Sequence, residues 1–281
     1  MPASSAVRSR AAVVLLLGVT LAAAAWGGWT EASYHLERQI SEWPVRMLAG
    51  MLGVPYALAG AMLLWRRAAD RVGWLLLLFG VTMQLARTET SLAMLREPTS
   101  GDAIDVWEQR PFGPPLTALV TVVTLVVLGL LPYLVATAPR RYRWHPVLVR
   151  GAPVVLAAGS LLLTVQFMAS SIDATWDSPI EGGTMDQPAW IVWGPAVVYL
   201  VGLLTCWVLL LARLVRGPRR GCPALVLLAG AVALVPQWSG SEVLVLLGLT
   251  AAPFLVLLAR LRDVRTRRRR ERPATSAARS R

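Results

Sequence analysis

Residues 241–281 read SEVLVLLGLTAAPFLVLLARLRDVRTRRRRERPATSAARSR, an apolar run followed by a tail of arginines. The run carries no charged side chain between Val243 and Ala259, which is close to the roughly 20 apolar residues that a helix needs to cross a bilayer. Arginine-rich segments beside a membrane helix stay on the cytoplasmic side. This stretch therefore predicts a transmembrane helix whose C-terminal end faces the cytoplasm.

The rest of the chain repeats this pattern of apolar blocks and charged gaps. Hydrophobic residues make up 56% of the 281 residues and the mean hydropathy is +0.55, so too little polar surface is left to cover a soluble globule. The apolar blocks are continuous and lack the alternation of a membrane β-barrel, which predicts helices. Eight segments are candidates to cross the membrane, the seventh being the shortest: Ala11 to Trp29, Pro44 to Trp65, Val72 to Leu95, Leu116 to Ala138, Ala152 to Ser171, Ala189 to Val215, Pro223 to Trp238 and Ser241 to Ala259.

The charges are sorted between alternate gaps. All 28 basic residues are arginine, and all but five of them, at positions 38, 46, 87, 96 and 110, lie at the N-terminus, in the second, fourth and sixth gaps, or in the tail. Of the 16 acidic residues, 13 lie in or beside the other gaps. This distribution predicts an all-α polytopic transmembrane bundle of about eight helices in a bacterial cell membrane, with both termini in the cytoplasm. The bundle is expected over residues 1–259, followed by a disordered basic tail over residues 260–281.

The first apolar segment also fits a second interpretation. Two arginines, the apolar run and the alanines at 22–25 together resemble a secretory signal peptide with a small-residue cleavage site. Cleavage would remove the first helix and leave the orientation of the others unchanged. Both interpretations stay open at this stage.

A small group of polar and aromatic residues in the outer half of the predicted bundle forms the candidate ligand site. Arg87 lies well inside the third segment, and ionisable residues at such positions face a cavity or a partner. Gln84 lies about one turn away from Arg87, close to the same helix face. Gln166 in the fifth segment and Trp193 in the sixth are predicted at a similar depth in the membrane. The alternative is that Arg87 reaches the outer headgroups as a surface residue.

The tail provides a second candidate binding surface. Arginines beside a membrane helix attract anionic lipid headgroups, each contributing about 1 kcal/mol near the surface. The residues expected to make this contact are Arg265, Arg267, Arg268, Arg269 and Arg270. The absence of interleaved aromatic residues and of a folded reader domain beside the tail argues against nucleic acid as the partner.

The second segment carries small residues at four-residue spacing: Ala49, Gly53, Ala57 and Ala61. Such a stripe allows two helix backbones to approach closely. We therefore expect it to pack against another helix and not to bind a ligand.

Catalysis is not indicated. The two histidines, His35 and His145, have no metal-ligand or nucleophile spacing around them, and no phosphate-binding loop or hydrolase motif is present. Cys206 and Cys222 lack a redox spacing and lie on the reducing side or in the bilayer. We expect no enzyme activity, no cofactor, no metal and no disulfide.

Three short motifs resemble a known family. These are RVGWLL at 71–76, PRRYRWHP at 139–146 and RLRDV at 260–264, and they resemble the N-terminal membrane region of sensor histidine kinases from high-GC bacteria. In that family, a segment like residues 260–264 is followed by a helix with the phospho-accepting histidine and by an ATP-binding domain. No histidine follows His145 here, so the resemblance implies the sensory membrane module without its kinase domains.

The function expected from these features is that of a non-catalytic membrane sensor or regulatory module. It would signal through a separate cytoplasmic kinase or regulator. The lipid bilayer and its anionic headgroups are expected partners, and the chain is also expected to form a homodimer. A small-molecule transporter or permease component is one alternative, although midplane charge and repeated halves are missing. A structural membrane protein without a ligand is the other.

Overall fold

The computed structural model describes residues 3–37, 50–96, 113–137, 146–172, 189–216, 221–234 and 241–279, and this part of the chain is helical apart from short turns. Eight helices follow one another in these ranges: α1 (Ala3–Glu37), α2 (Gly53–Arg66), α3 (Arg71–Arg96), α4 (Gly113–Thr137), α5 (Pro146–Ile172), α6 (Ala189–Arg216), α7 (Gly221–Leu234) and α8 (Glu242–Arg279). The prediction of an all-α fold with about eight helices is confirmed.

Five of these helices are long and apolar enough to cross a bilayer. Within the described residues the qualifying segments are Ser9–Thr30, Ala118–Thr137, Pro146–Gln166, Trp193–Arg216 and Val243–Arg262. Many of their large apolar side chains are exposed, among them Leu15 at 68% and Val154 at 66%, as lipid-facing surfaces are. The chain is therefore a multi-pass membrane protein.

Among the described residues, the other three helices do not meet these criteria of length and hydropathy. Helices α2 and α7 have 14 residues each. Helix α7 is therefore short, as predicted. Helix α2 lies in the predicted second segment, and the start of that segment, at 44–49, is outside the described residues. Helix α3 has 26 residues but includes Arg87 and Glu89, which lowers its hydropathy. Length and composition alone do not assign these three helices to the membrane.

The chain divides into two compact units, each with its own packing. The first contains residues 1–84 and 213–281, and the second contains residues 85–212. In the first unit, a buried cluster joins α1, α2 and α3, with Val13, Ala57 and Leu77 at its centre. Helix α2 packs against both α1 and α8, and α7 packs against α8.

The small residues of α2 lie where α2 and α3 meet. A Cβ on Gly60 would come within 2.5 Å of the backbone nitrogen of Leu77, and one on Gly80 would overlap the backbone at Ala57. Gly53, Ala57 and Ala61 are all buried. The prediction that this stripe packs against another helix is confirmed for these three residues, whereas Ala49 lies outside the described part of the chain.

The second unit is built on α5, which packs against α4 and α6. A Cβ on Gly129 of α4 would collide with the Leu156 side chain of α5, and one on Gly159 of α5 would collide with the backbone of Tyr199 in α6. Two tyrosines add polar contacts: the Tyr133 hydroxyl donates to the carbonyl oxygen of Val149 at 2.6 Å, and the Tyr199 hydroxyl donates to that of Leu125 at 3.3 Å. Glycines at these contacts thus allow α4, α5 and α6 to pack closely.

Helix α8 extends well beyond its apolar part. It has 38 residues, which corresponds to about 57 Å at 1.5 Å per residue. The backbone of the basic tail therefore continues the last membrane helix as far as Arg279, and side chains are described up to Arg262. Disorder of residues 260–281 in solution stays a prediction.

Candidate functional site at the basic end of the first unit

The connection between α2 and α3 is a tight turn organised by its own backbone. The amide of Arg67 donates to the carbonyl oxygen of Leu63 at 2.9 Å and ends α2, and the amide of Asp70 donates to the carbonyl oxygen of Arg67 at 2.9 Å. The Asp70 carboxylate then accepts from the amide of Val72 at 3.0 Å. An aspartate in this position caps the start of a helix, so Asp70 fixes where α3 begins.

Asp70 also forms an ion pair with the last helix. The Nη2 atom of Arg260 donates to Oδ1 of Asp70 at 2.9 Å and to Oδ2 at 3.0 Å. The side chain of Asp70 is 3% exposed and that of Arg260 is 15% exposed. The pair therefore lies away from bulk solvent, where removal of one partner leaves an uncompensated charge.

The same end of this unit holds the beginning of α1. The guanidinium of Arg10 lies over the ring of Trp65, 5.9 Å from its centroid, and the indole Nε1 of Trp74 donates to the carbonyl oxygen of Ala68 at 3.0 Å. The start of α1, the end of α2, the start of α3 and residue 260 of α8 therefore meet. We call this region the basic end, and its members are Arg10, Trp65, Arg66, Arg67, Asp70, Arg71 and Arg260.

The basic end has a strong excess of positive charge. Arg10, Arg66, Arg67 and Arg71 are exposed. Of the acidic residues whose side chains the structure describes, Asp70 alone lies here, and both of its oxygens accept from Arg260. The arginine sorting seen in the sequence is thus realised in this unit as one positively charged surface, which we predict to face the cytoplasm.

The four residues of the predicted ligand site have different environments. Gln84 is fully buried in the first unit, where its Nε2 donates to the carbonyl oxygen of Gly50 at 2.8 Å, so it ties α3 to the turn that precedes α2. The other three belong to the second unit: Arg87 is exposed, Gln166 is partly buried and Trp193 is 66% exposed. Their assignment as a ligand site stays a prediction.

The predicted lipid-contacting arginines of the tail lie on the backbone of α8. Their side chains, at positions 265 and 267–270, are outside the described residues. Contact of these arginines with anionic lipid therefore stays a prediction, and the described part of the basic surface lies instead at Arg10, Arg66, Arg67 and Arg71.

Sequence reasoning missed the pair formed by Asp70 and Arg260. The charge rule has acidic exceptions as well as the five arginines. Asp70 is such a residue, because it lies in the arginine-rich gap between the second and third segments. A lone carboxylate in a basic loop was the available signal, although its partner, 190 residues away, had no signal in the sequence.

No metal-binding geometry is found among the described residues, where three His, Cys, Asp or Glu side chains never come together. Cys206 and Cys222 are both free and buried. No model of a protein family, no curated protein and no solved structure matches this chain.

Proposed function

We propose that this chain is a non-catalytic membrane sensor or regulatory module that acts on a separate cytoplasmic partner through its last helix. The observation that carries the proposal is the ion pair between Asp70 and Arg260, which lies where α8 passes from its apolar part into its arginine-rich part. The pair connects α8, at the point where the tail begins, to the turn between α2 and α3.

The physical basis is the continuity of α8. Helix α8 is continuous from Glu242 to Arg279 and has Pro253 and Pro273 inside it, and interior prolines kink helices. In this proposal the stretch between the two prolines moves as one body, so a shift of its apolar part relative to α2 and α3 also moves the residues beyond Arg262. Rigid elements with two discrete arrangements are able to carry coupling between sites. In this proposal the ion pair holds one arrangement, and its release permits another.

The chemistry of the tail supports a cytoplasmic partner with an acidic surface. The tail from Arg265 onwards carries eight arginines and one acidic residue, Glu271. Opposite charges favour encounter and orientation more than they raise affinity. In this proposal the output of the module is a binding event.

The experiment is site-specific photo-crosslinking from the tail in living cells. A photoreactive amino acid replaces Ala274, and a control probe replaces the lipid-facing Val154, which is 66% exposed. We expect a defined cytoplasmic protein to crosslink from position 274 only, with a yield that changes when Asp70→Asn is added.

Two outcomes would contradict the proposal. If deletion of residues 265–281 leaves every protein interaction intact, the tail does not carry the output. If the crosslinks from position 274 are the same with and without Asp70→Asn, the ion pair does not control the tail.

A further inference from the structure

An exposed aromatic and cationic pair also lies at the basic end. Arg10 of α1 lies over Trp65 of α2, and Trp65 is 59% exposed. The position of Arg10 is set by its own helix, because Val13, about one turn further on, is 3% exposed in the core of this unit. Arg66 follows directly and is exposed as well.

The residues above this pair are apolar and also exposed. Val14 lies four positions from Arg10 on α1 and is 56% exposed, and Met62 lies three positions from Trp65 on α2 and is 54% exposed. Residues three or four apart share a helix face. On each helix, an exposed apolar side chain therefore lies one turn from Arg10 or Trp65, on the side towards the bilayer centre.

We propose that this surface binds an anionic phospholipid. The phosphate lies between the guanidinium groups of Arg10 and Arg66, the indole ring of Trp65 lies at the level of the headgroup, and an acyl chain lies along Val14 and Met62. Arginine binds phosphate oxygens through two parallel hydrogen bonds, and tryptophan is enriched at the membrane interface.

Charge selects an anionic lipid over a zwitterionic one. The Asp70 carboxylate is taken up by Arg260, so it does not neutralise the arginines at this surface. A zwitterionic headgroup brings its own ammonium group towards the exposed guanidinium groups of Arg66, Arg67 and Arg71. The apolar pair Val14 and Met62 selects a lipid over free phosphate, which has no chain to bury there. This binding does not depend on the proposed signalling function.

The test measures lipid binding to the purified full chain in detergent by native mass spectrometry and by thermal unfolding. The probes are phosphatidylglycerol, phosphatidylcholine and inorganic phosphate. Each near-surface charge contributes about fivefold in affinity, so we expect Arg10→Gln with Arg66→Gln to weaken phosphatidylglycerol binding about 25-fold. The control double variant, Arg150→Gln with Arg216→Gln, removes two other exposed arginines and should retain most of the binding.

Equal loss in both double variants would overturn the proposal, because it would mean that net charge alone attracts the lipid. Stabilisation by inorganic phosphate equal to that by phosphatidylglycerol would overturn it too. A photoreactive residue at Met62 tests the site without removing an arginine. It should capture phosphatidylglycerol in preference to phosphatidylcholine, whereas the same probe at Leu204, which is 60% exposed, should show no preference. Equal preference at both positions would refute a specific site.

Discussion

Replacing Arg260 by leucine should destabilise the protein more than replacing Asp70 by asparagine, although both changes remove the same ion pair. Arg260→Leu leaves the Asp70 carboxylate, which is 3% exposed in the wild type, without its cationic partner, and such a loss costs about 3–5 kcal/mol. In Asp70→Asn, the amide oxygen still accepts from Val72 and caps α3. Arg260 is already 15% exposed and can extend towards the headgroups, so we expect a cost of about 1–2 kcal/mol.

The double variant separates the pair from its parts. Asp70→Asn with Arg260→Leu leaves no buried charge, so its cost should fall below the sum of the single costs, with a coupling energy of at least about 2 kcal/mol. The free energy of unfolding is measured in mixed micelles by titration with sodium dodecyl sulfate, with the fluorescence of the 12 tryptophans as the signal. Arg262→Leu, at an exposed position, is the control and should cost less than about 1 kcal/mol.

Additive costs would refute this reasoning. If the double variant costs the sum of the two singles to within about 0.5 kcal/mol, the two side chains do not interact in the folded protein. A larger cost for Asp70→Asn than for Arg260→Leu would show that the arginine, and not the carboxylate, is the charge held away from water.

Three further changes test the packing and hydrogen bonds by the same unfolding assay. Gly60→Ala should cost about 1–3 kcal/mol by overpacking, because its Cβ would lie 2.5 Å from a backbone nitrogen of α3. The control Gly18→Ala, whose Cβ would have nothing within 4 Å, should be neutral or stabilise by up to about 1 kcal/mol. Equal effects of the two changes would mean that α2 and α3 are not in close contact. Gln84→Leu removes the 2.8 Å hydrogen bond to Gly50 before α2 and should cost about 0.6–1.7 kcal/mol, and an unchanged stability would show that this bond does not form. Tyr133→Phe removes a 2.6 Å bond and should cost about 1 kcal/mol, more than Tyr199→Phe, whose bond is 3.3 Å long; the reverse order would contradict the geometry.

The number and type of the helices follow from local sequence. Each long apolar run predicts a helix because a backbone in lipid must satisfy its hydrogen bonds within the segment, and the run at 243–259 lies in one such helix. The close packing of the small residues at 53, 57 and 61 was also predictable, because a four-residue spacing places them on one helix face. The partner glycines at 73 and 80 were not, because the spacing on α2 does not say which helix lies against it.

The residues of the predicted ligand site show what the sequence does not specify. The sequence predicts Arg87 as an intramembrane charge, and its side chain is exposed, so its role as a ligand residue stays a prediction. Gln84, predicted as a lining residue, donates a hydrogen bond to Gly50 in the turn before α2. A polar residue in an apolar segment indicates that a partner is needed, but the identity of that partner depends on how the helices are rotated against each other.

The amino-acid sequence by itself determined that this is an all-helical, multi-pass membrane protein with its arginines sorted between alternate gaps. Those properties depend on hydrophobicity and charge along short stretches, which a single segment contains in full. Only the tertiary structure decided that Asp70 pairs with Arg260, that Arg10 lies over Trp65, and that these contacts gather at one basic end. The reason is physical: contacts between residues up to 190 positions apart depend on the order and rotation of packed helices, which no single segment specifies.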